Sequence, residues 1–213
     1  FGLRREAAGV VSIALGSEDR FSVTAPIETA LSNLSGDVEV KRSHDEVVLQ
    51  VLEFLRQRLE THLREDRSIR YDLVDAALSP GIDDIMAAAD RAKALDALKD
   101  SPDFLPTVIA CTRPMNISKD FGGGDVDPKL FQDPSENALW DAYQKVAAQV
   151  DAVPLLKLFE LIAADLDAPI DTYFNDVLVM AEDEKIRRNR LALCWQLSQL
   201  FRRIADFPLI VQA

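Results

Sequence analysis

Apolar residues recur at three- and four-residue steps along much of the chain. Val47, Val48, Val51, Leu52, Leu55, Leu59 and Leu63 fall on one stripe and predict an amphipathic helix over residues 43–65. Ser43, followed three residues later by Glu46, has the form of a capping box and fixes where that helix begins. The stretch before it, residues 16–42, mixes Ser, Gly, Pro and short apolar groups and reads as a linker with a short helix inside. Further helices are expected over 72–78 and 82–98, separated by Ser79-Pro80-Gly81, and over 104–113, where Pro114 is expected to stop the pattern. Residues 116–133 carry Gly122-Gly123-Gly124, several aspartates and Pro128, the composition of an exposed loop. Ser135 offers a cap for a helix to about residue 150, and Pro154 and Pro169 stand where the first turn of a helix accepts proline. Val177-Leu178-Val179-Met180 reads as a buried apolar run whose type periodicity leaves open, with a tight turn leading into a last helix over 183–206 the favoured form. Short connections between helices imply antiparallel packing, and no strand alternation or fixed repeat is sustained. The fold expected is therefore all-α, an antiparallel helical bundle.

The last helix shows Ile186, Leu193, Leu197, Leu200, Ile204 and Phe207 as its apolar stripe, with Arg190 where a leucine would be expected. A guanidinium in that position needs a carboxylate or carbonyl partner, because burying it unpaired costs several kcal/mol or more, roughly. From Lys185 to Arg203 the helix also carries Arg187, Arg188, Arg190 and Arg202, with no acid between. It is the one strongly basic segment of a chain whose formal net charge is -12. Net charge sets the long-range field, but local clustering sets the contact footprint, so the acidic balance does not exclude nucleic acid.

With 213 residues and 48% hydrophobic content, the chain can bury a sizeable helical core. Charges interrupt each apolar run well short of the roughly 18–20 residues of a membrane-spanning helix. Cys111 and Cys194 are far apart and belong to no Cys-x-x-Cys, which signals neither zinc nor disulfide and fits a reducing cytoplasm. The first residues lack a signal-peptide pattern, and the chain reads as a piece of a longer protein.

Candidate chemistry is sparse. His44-Asp45 is the dipeptide of the HD phosphohydrolases, but the upstream histidine is missing and both residues fall in the first turn of a helix, where an acid suits the dipole. Gly122-Gly123-Gly124 lacks the Gly-Lys-Ser/Thr ending of a phosphate loop and reads as flexible spacing. Asp125 and Asp127, like Asp165, Asp167 and Asp171, lack the remaining features of a calcium loop and read as solvated acids and caps. No catalytic and no metal-ligating residues are expected. The cations offer more. Arg64, Arg67 and Arg70, with Arg56 and Arg58, lie along and beyond one helix; interleaved glutamates make ion pairing on a solvated face the competing account. Lys185, Arg187 and Arg188 have no such compensation within their helix, which points to partner acids or phosphates outside it. Arg113, Asn116 and Lys119 open onto the long loop, where arginine planes and amides have the chemistry to read splayed bases; helix capping by Asn116 is the alternative.

Several segments, in order, resemble the C-terminal region of glycyl-tRNA synthetase β subunits. They are Phe1-Gly2-Leu3-Arg4-Arg5-Glu6-Ala7-Ala8-Gly9-Val10, Tyr71-Asp72-Leu73-Val74-Asp75-Ala76, Arg113 with Asn116-Ile117, and Val126-Asp127-Pro128 with Leu130-Phe131. Phe174-Asn175-Asp176-Val177-Leu178-Val179-Met180-Ala181-Glu182-Asp183 follows, and then Arg187-Arg188-Asn189-Arg190-Leu191. The resemblance implies a two-subunit class II aminoacyl-tRNA synthetase whose α subunit binds ATP, with magnesium, and attaches glycine to tRNA(Gly). The β subunit would supply tRNA-binding surface through a helical anticodon-binding domain of the DALR type, shared with arginyl-tRNA synthetases, with no cofactor in this part. Residues 1–20 would close a preceding HD-like domain, 21–42 would link, and 43–213 would form the anticodon-binding domain. The tRNA-contacting set would be Arg113, Asn116, Lys119, Arg187, Arg188, Arg64, Arg67 and Arg70. One cation of the expected RNA contact is absent, since Thr112-Arg113 stands where the family commonly has Lys-Arg. Arg190, with Asn189, would pin the 177–183 turn, with Asp176 or Asp183 as its acid. The expected partners are tRNA(Gly) and the α subunit, with neither DNA nor membrane. The alternative is a helical docking module for the α subunit or another acidic partner.

Overall fold

A computed structural model describes residues 2–17, 20–34 and 41–212. Parts of the expected closing helix (Phe1 and residues 18–19) and of the expected linker (35–40), and Ala213, lie outside the described residues. The described residues are helical with no strand, which makes the fold all-α. The chain divides into two compact units, Phe1–Asp96 and Ala97–Ala213, so a division falls inside the stretch 43–213 that the sequence reads as one domain.

In the first unit, α1 (Gly2–Gly16) and α2 (Thr24–Leu34) pack on α3 (His44–Thr61). The capping box at its start is present as expected: the Ser43 hydroxyl accepts from the Glu46 N–H at 3.3 Å, and the Glu46 carboxylate accepts from the Ser43 N–H at 2.9 Å. Of the expected stripe, Val48, Leu55, Leu59 and Leu63 are buried. The helix ends on a wide π turn, His62–Asp66, in which the Arg67 N–H reaches the His62 carbonyl at 3.2 Å. Ser68 then adopts a left-handed φ of 58° and swings the chain into α4 (Tyr71–Leu78). Beyond Ser79-Pro80-Gly81, α5 (Ile85–Leu98) follows. Its Arg91 donates to the Ala77 carbonyl at 2.8 Å, tying α5 back to the end of α4.

The second unit is built on α6 (Phe104–Ile117), α7 (Pro134–Ala147), α8 (Leu155–Asp165), α9 (Asp167–Asp176) and α10 (Glu184–Phe201). Helix α10 and the 3-10 turn Phe207–Leu209 lie along α6, while α9 packs on α6 and α7. Val108, Cys111, Leu139, Phe159, Ile162, Tyr173, Leu193, Leu197 and Phe201 fill the core. Phe104, Phe159, Phe207 and Phe201 continue one another through ring contacts of 5.8, 6.5 and 6.2 Å.

Three local expectations are corrected here. Pro114 does not stop α6, which runs on to Ile117; a proline in the last turn removes only one ladder bond, and the Ser118 N–H and hydroxyl both close on the Pro114 carbonyl, at 3.2 and 2.7 Å. Helix α7 is capped by Asp133 instead of Ser135: its carboxylate accepts from the Ser135 N–H at 2.8 Å, and Pro134 takes the first helical position. The last helix ends at Phe201, five residues short of the expected end, and the chain closes with the 3-10 turn Phe207–Leu209. The 177–183 stretch is a turn, as expected, but only half of its apolar run is buried: Val177 and Val179 point inward, whereas Leu178 is 71% and Met180 54% exposed, as alternation along extended backbone dictates.

Candidate nucleic-acid interface at the start of the last helix

The first turns of α10 hold every kind of polar commitment within six residues. Asp183 caps the helix, its carboxylate accepting from the Lys185 and Ile186 N–H groups at 2.8 and 3.2 Å. Both bonds fall on one oxygen of that carboxylate, and it forms no ion pair with the neighbouring cations among the described residues. Arg187 folds back and donates to the Ala181 carbonyl at 3.0 Å, so its guanidinium is oriented by a neutral partner and keeps its full charge. The side chains of Lys185 and Arg188 are exposed, and neither forms an ion pair or hydrogen bond among the described residues.

Asn189 and Arg190 turn inward. The Asn189 amide makes a two-way clasp on the backbone of Asp127: its Oδ1 accepts from the Asp127 N–H at 2.7 Å and its Nδ2 donates to the Asp127 carbonyl at 3.1 Å. Arg190 needs an acid, as its place on the apolar stripe demands, but the acid is Glu136 and neither Asp176 nor Asp183. Arg190 Nε and Nη2 lie 2.9 and 3.3 Å from the two Glu136 oxygens. Its Nη1 donates to the Leu178 carbonyl at 3.0 Å, so it does pin the 177–183 turn, by a backbone contact. Glu136 also accepts the Gln132 and Asp133 N–H groups at 2.8 and 2.9 Å, and is fully buried. Burial pushes its carboxyl upward, but the Arg190 guanidinium and the two N–H groups outweigh that and hold it below the usual glutamate range.

The triple-glycine loop faces these residues. Gly123 has φ of 100°, and a Cβ there would lie 3.3 Å from the Trp195 indole; the Gly124 carbonyl accepts from Gln196 at 3.4 Å. Gly123 allows close approach to α10, a correction to the reading of flexible spacing at that position, and the loop is tied to the helix at Gly124 and Asp127. Between loop and helix lies a depression of about 430 Å³. Phe121, Gly124, Leu130 and Ala192 give it an apolar surface, while Lys185, Arg188, Asp125 and Asp127 line it with charge.

The other candidates are dispersed. Arg113 pairs with Asp171 at 2.9 Å with its guanidinium 5.6 Å from the Phe174 ring centroid. Asn116 is an exposed residue of the last turn of α6 and does not cap it, since Ser118 takes that role; Lys119 is exposed with no side-chain partner among the described residues. In the first unit, Arg64 pairs with Glu60 at 2.7 Å and lies 5.9 Å from the Tyr71 ring centroid. Arg70 grips the buried Asp72 through two bonds of 2.6 and 2.8 Å. Arg67 is exposed and forms no ion pair among the described residues. Sequence reading missed Asp125 and Phe121 as neighbours of Arg188. The signal was present only as charge without compensation; the juxtaposition needs the loop to fold onto the helix.

Catalytic alternatives gain nothing from the geometry. Burial pushes the thiols of Cys111 and Cys194 up, Cys194 to about 12, so neither is a ready nucleophile. His44 is half exposed, 4.0 Å from Asp45 in the first turn of α3, and the described residues contain no group of three or more metal-ligating side chains. No helix among the described residues is long and apolar enough to cross a membrane.

The family sequence profile described as "Glycyl-tRNA synthetase beta subunit" matches residues 1–79. Over nearly the whole chain the sequence is similar to curated proteins named "Glycine--tRNA ligase beta subunit". The relative from Geobacter metallireducens is 40% identical over 215 residues, covering 99% of this chain and 30% of that protein. The one from Moorella thermoacetica is 37% identical over 218 residues, 99% of this chain and 31% of the relative. That from Anaeromyxobacter dehalogenans is 37% identical over 213 residues, 97% and 30% respectively. The chain thus spans about three tenths of the length of the curated relatives it matches.

Proposed function

We propose that the chain, similar over nearly its whole length to glycyl-tRNA synthetase β subunits, is a tRNA-binding portion of such a subunit, with the start of α10 as its phosphate-contacting face. On this reading residues 43–213 act as the DALR-type anticodon-binding part, and residues 1–20 close the domain before it. The chain supports attachment of glycine to tRNA(Gly) in the cytoplasm, the ATP- and magnesium-dependent chemistry belonging to the α subunit. The observation that carries it is the state of three cations among the described residues: there Lys185 and Arg188 are exposed with no partner, and Arg187 meets carbonyl oxygens only. In a chain of net charge -12, with acids abundant, cations left over on one helix are available to phosphates. Arg67 and Lys119 are lesser members of the same class, while Arg64, Arg70 and Arg113 reach RNA only by giving up an acid.

Charge reversal of Arg187 and Arg188 tests the reading in the complete α/β enzyme. Affinity for tRNA(Gly) is expected to fall, and the slope of log affinity against log salt to lose roughly 1–2 units, since each phosphate contact contributes about 0.7–0.9. Unchanged affinity and slope would remove this face from the mechanism. A second reading, docking of the α subunit, draws on the bare Leu178 and Met180 side chains. Gel filtration of the α subunit with a Leu178→Asp, Met180→Asp variant separates the two: loss of assembly with retained tRNA affinity assigns the turn to docking.

A further inference from the structure

We propose that the depression between the 121–130 loop and α10 holds one nucleotide of an unpaired RNA segment and favours bases bearing an exocyclic amino group over uracil. The inference rests on the tRNA-binding reading above and adds a base-reading pocket to it. Its volume of about 430 Å³ lies within the range of small-ligand sites, about 300–1,000 Å³, and is too small for a folded stem.

Charge of both signs lines the depression without closing on itself. Lys185 and Arg188 stand on the helix side, Asp125 and Asp127 on the loop side, and no ion pair joins them. One Asp127 oxygen accepts from the Lys129 N–H at 3.0 Å, which leaves the other oxygen and the whole Asp125 carboxylate as acceptors. A ligand complementary to this arrangement carries an anion and hydrogen-bond donors together. A nucleotide does so, with phosphate toward the two cations and base edge toward the carboxylates. Ionised carboxylates only accept, so they match the amino groups of cytosine, adenine or guanine, whereas uracil offers one N3–H flanked by two carbonyls that meet them with repulsion. Phe121, with Gly124, Leu130 and Ala192, offers an apolar wall for the base face. The Asn189 clasp and the contact of Gly123 with Trp195 already fix the loop, so little ordering cost remains for binding.

The test uses the complete α/β enzyme and short single-stranded oligoribonucleotides of C, A or U, measured by fluorescence competition. C and A oligomers are expected to bind about tenfold tighter than U. Asp125→Asn is expected to bring that ratio close to one. Lys185→Glu with Arg188→Glu lowers all three affinities about tenfold or more and keeps the ratio. Gly124→Leu, which would fill the space before Phe121 and Ala192, removes the binding. A wild-type ratio near one, a preference that survives Asp125→Asn, or binding indifferent to Gly124→Leu overturns the pocket. If that happens while reversal of Arg187 and Arg188 still weakens tRNA binding, the pocket fails and the tRNA-binding face stands. If that reversal leaves tRNA affinity unchanged, the face itself fails.

Discussion

At the elbow after α3, Arg64 meets Glu60 at 2.7 Å and Arg70 meets Asp72 at 2.6 Å, while at the start of α10 Lys185 and Arg188 meet no acid among the described residues. Along the chain both are runs of cations in an acidic protein, but glutamates interleave with the first, whereas no acid stands between Lys185 and Arg203 in the second. In α3, Glu60 stands one turn from Arg64, an ordinary surface pair with no competing bond. Ahead of α10, one Asp183 oxygen takes the Lys185 and Ile186 N–H groups as the helix cap, and Glu184, one turn from Arg188, forms no ion pair with it among the described residues. Cations held by acids belong to the architecture; those at the start of α10 are the ones proposed to meet a ligand.

Arg190 offers the largest expected effect on this distinction, because it is the most deeply held cation and lies two residues from Arg188. Arg190→Met leaves Glu136 buried without its guanidinium and is expected to cost about 3–5 kcal/mol in urea unfolding of the chain. Arg188→Met is expected to stay within about 0.5 kcal/mol. Similar values for the two would break the comparison. Next comes Arg70→Ala, expected to cost about 1–3 kcal/mol, since Asp72 is only 1% exposed and loses a two-bond partner.

The acid side can be sharpened through Asp167, one turn ahead of the Asp171 that holds Arg113. Burial, with Asp171 and Asp103 nearby, outweighs the Thr107 hydrogen bond and raises the Asp167 carboxyl from 3.8 to about 6; its Oδ1 is buried without a partner. The folded state therefore binds the proton more tightly than the unfolded chain, and stability falls as pH rises from about 3.8 to 6 and levels off above. Asp167→Asn is expected to gain about 1–2 kcal/mol at pH 8, discounted for partial exposure, and next to nothing at pH 4. An equal gain at both pH values would assign the effect to shape instead of charge. The smallest effects are in salt dependence. Arg67→Ala and Arg188→Ala are each expected to lower the tRNA salt slope by roughly 0.7–0.9, and Arg64→Ala to leave it unchanged. A drop for Arg64 equal to that for Arg188 would show that a surface ion pair does not withdraw a cation from RNA.

Features set within a few residues were legible in the sequence. The Ser43 and Glu46 box formed as the spacing implies, because both partners sit on one turn. The 177–183 turn and the need of Arg190 for a counter-charge were legible too. Which acid answers that need was not: Glu136 lies 54 residues away, and nothing local ranks it above Asp176 or Asp183. Asp133 and Ser135 both have capping chemistry, and Pro134 decides between them by preferring the first helical position. Gly123 read as slack because its reason for being glycine, the Trp195 ring, is 72 positions further on. The depression was hidden for the same reason. Its lining comes from two segments that only the folded loop brings together.

The grip of Asn189 on Asp127 has a chemical corollary. With donor and acceptor ends both engaged, the orientation of the carboxamide is dictated by its two partners. Exchange to aspartate keeps size and shape but turns one end from giver to receiver, setting oxygen against the Asp127 carbonyl. The Asp127 end of the glycine segment thus depends on the identity of one atom, nitrogen in place of oxygen.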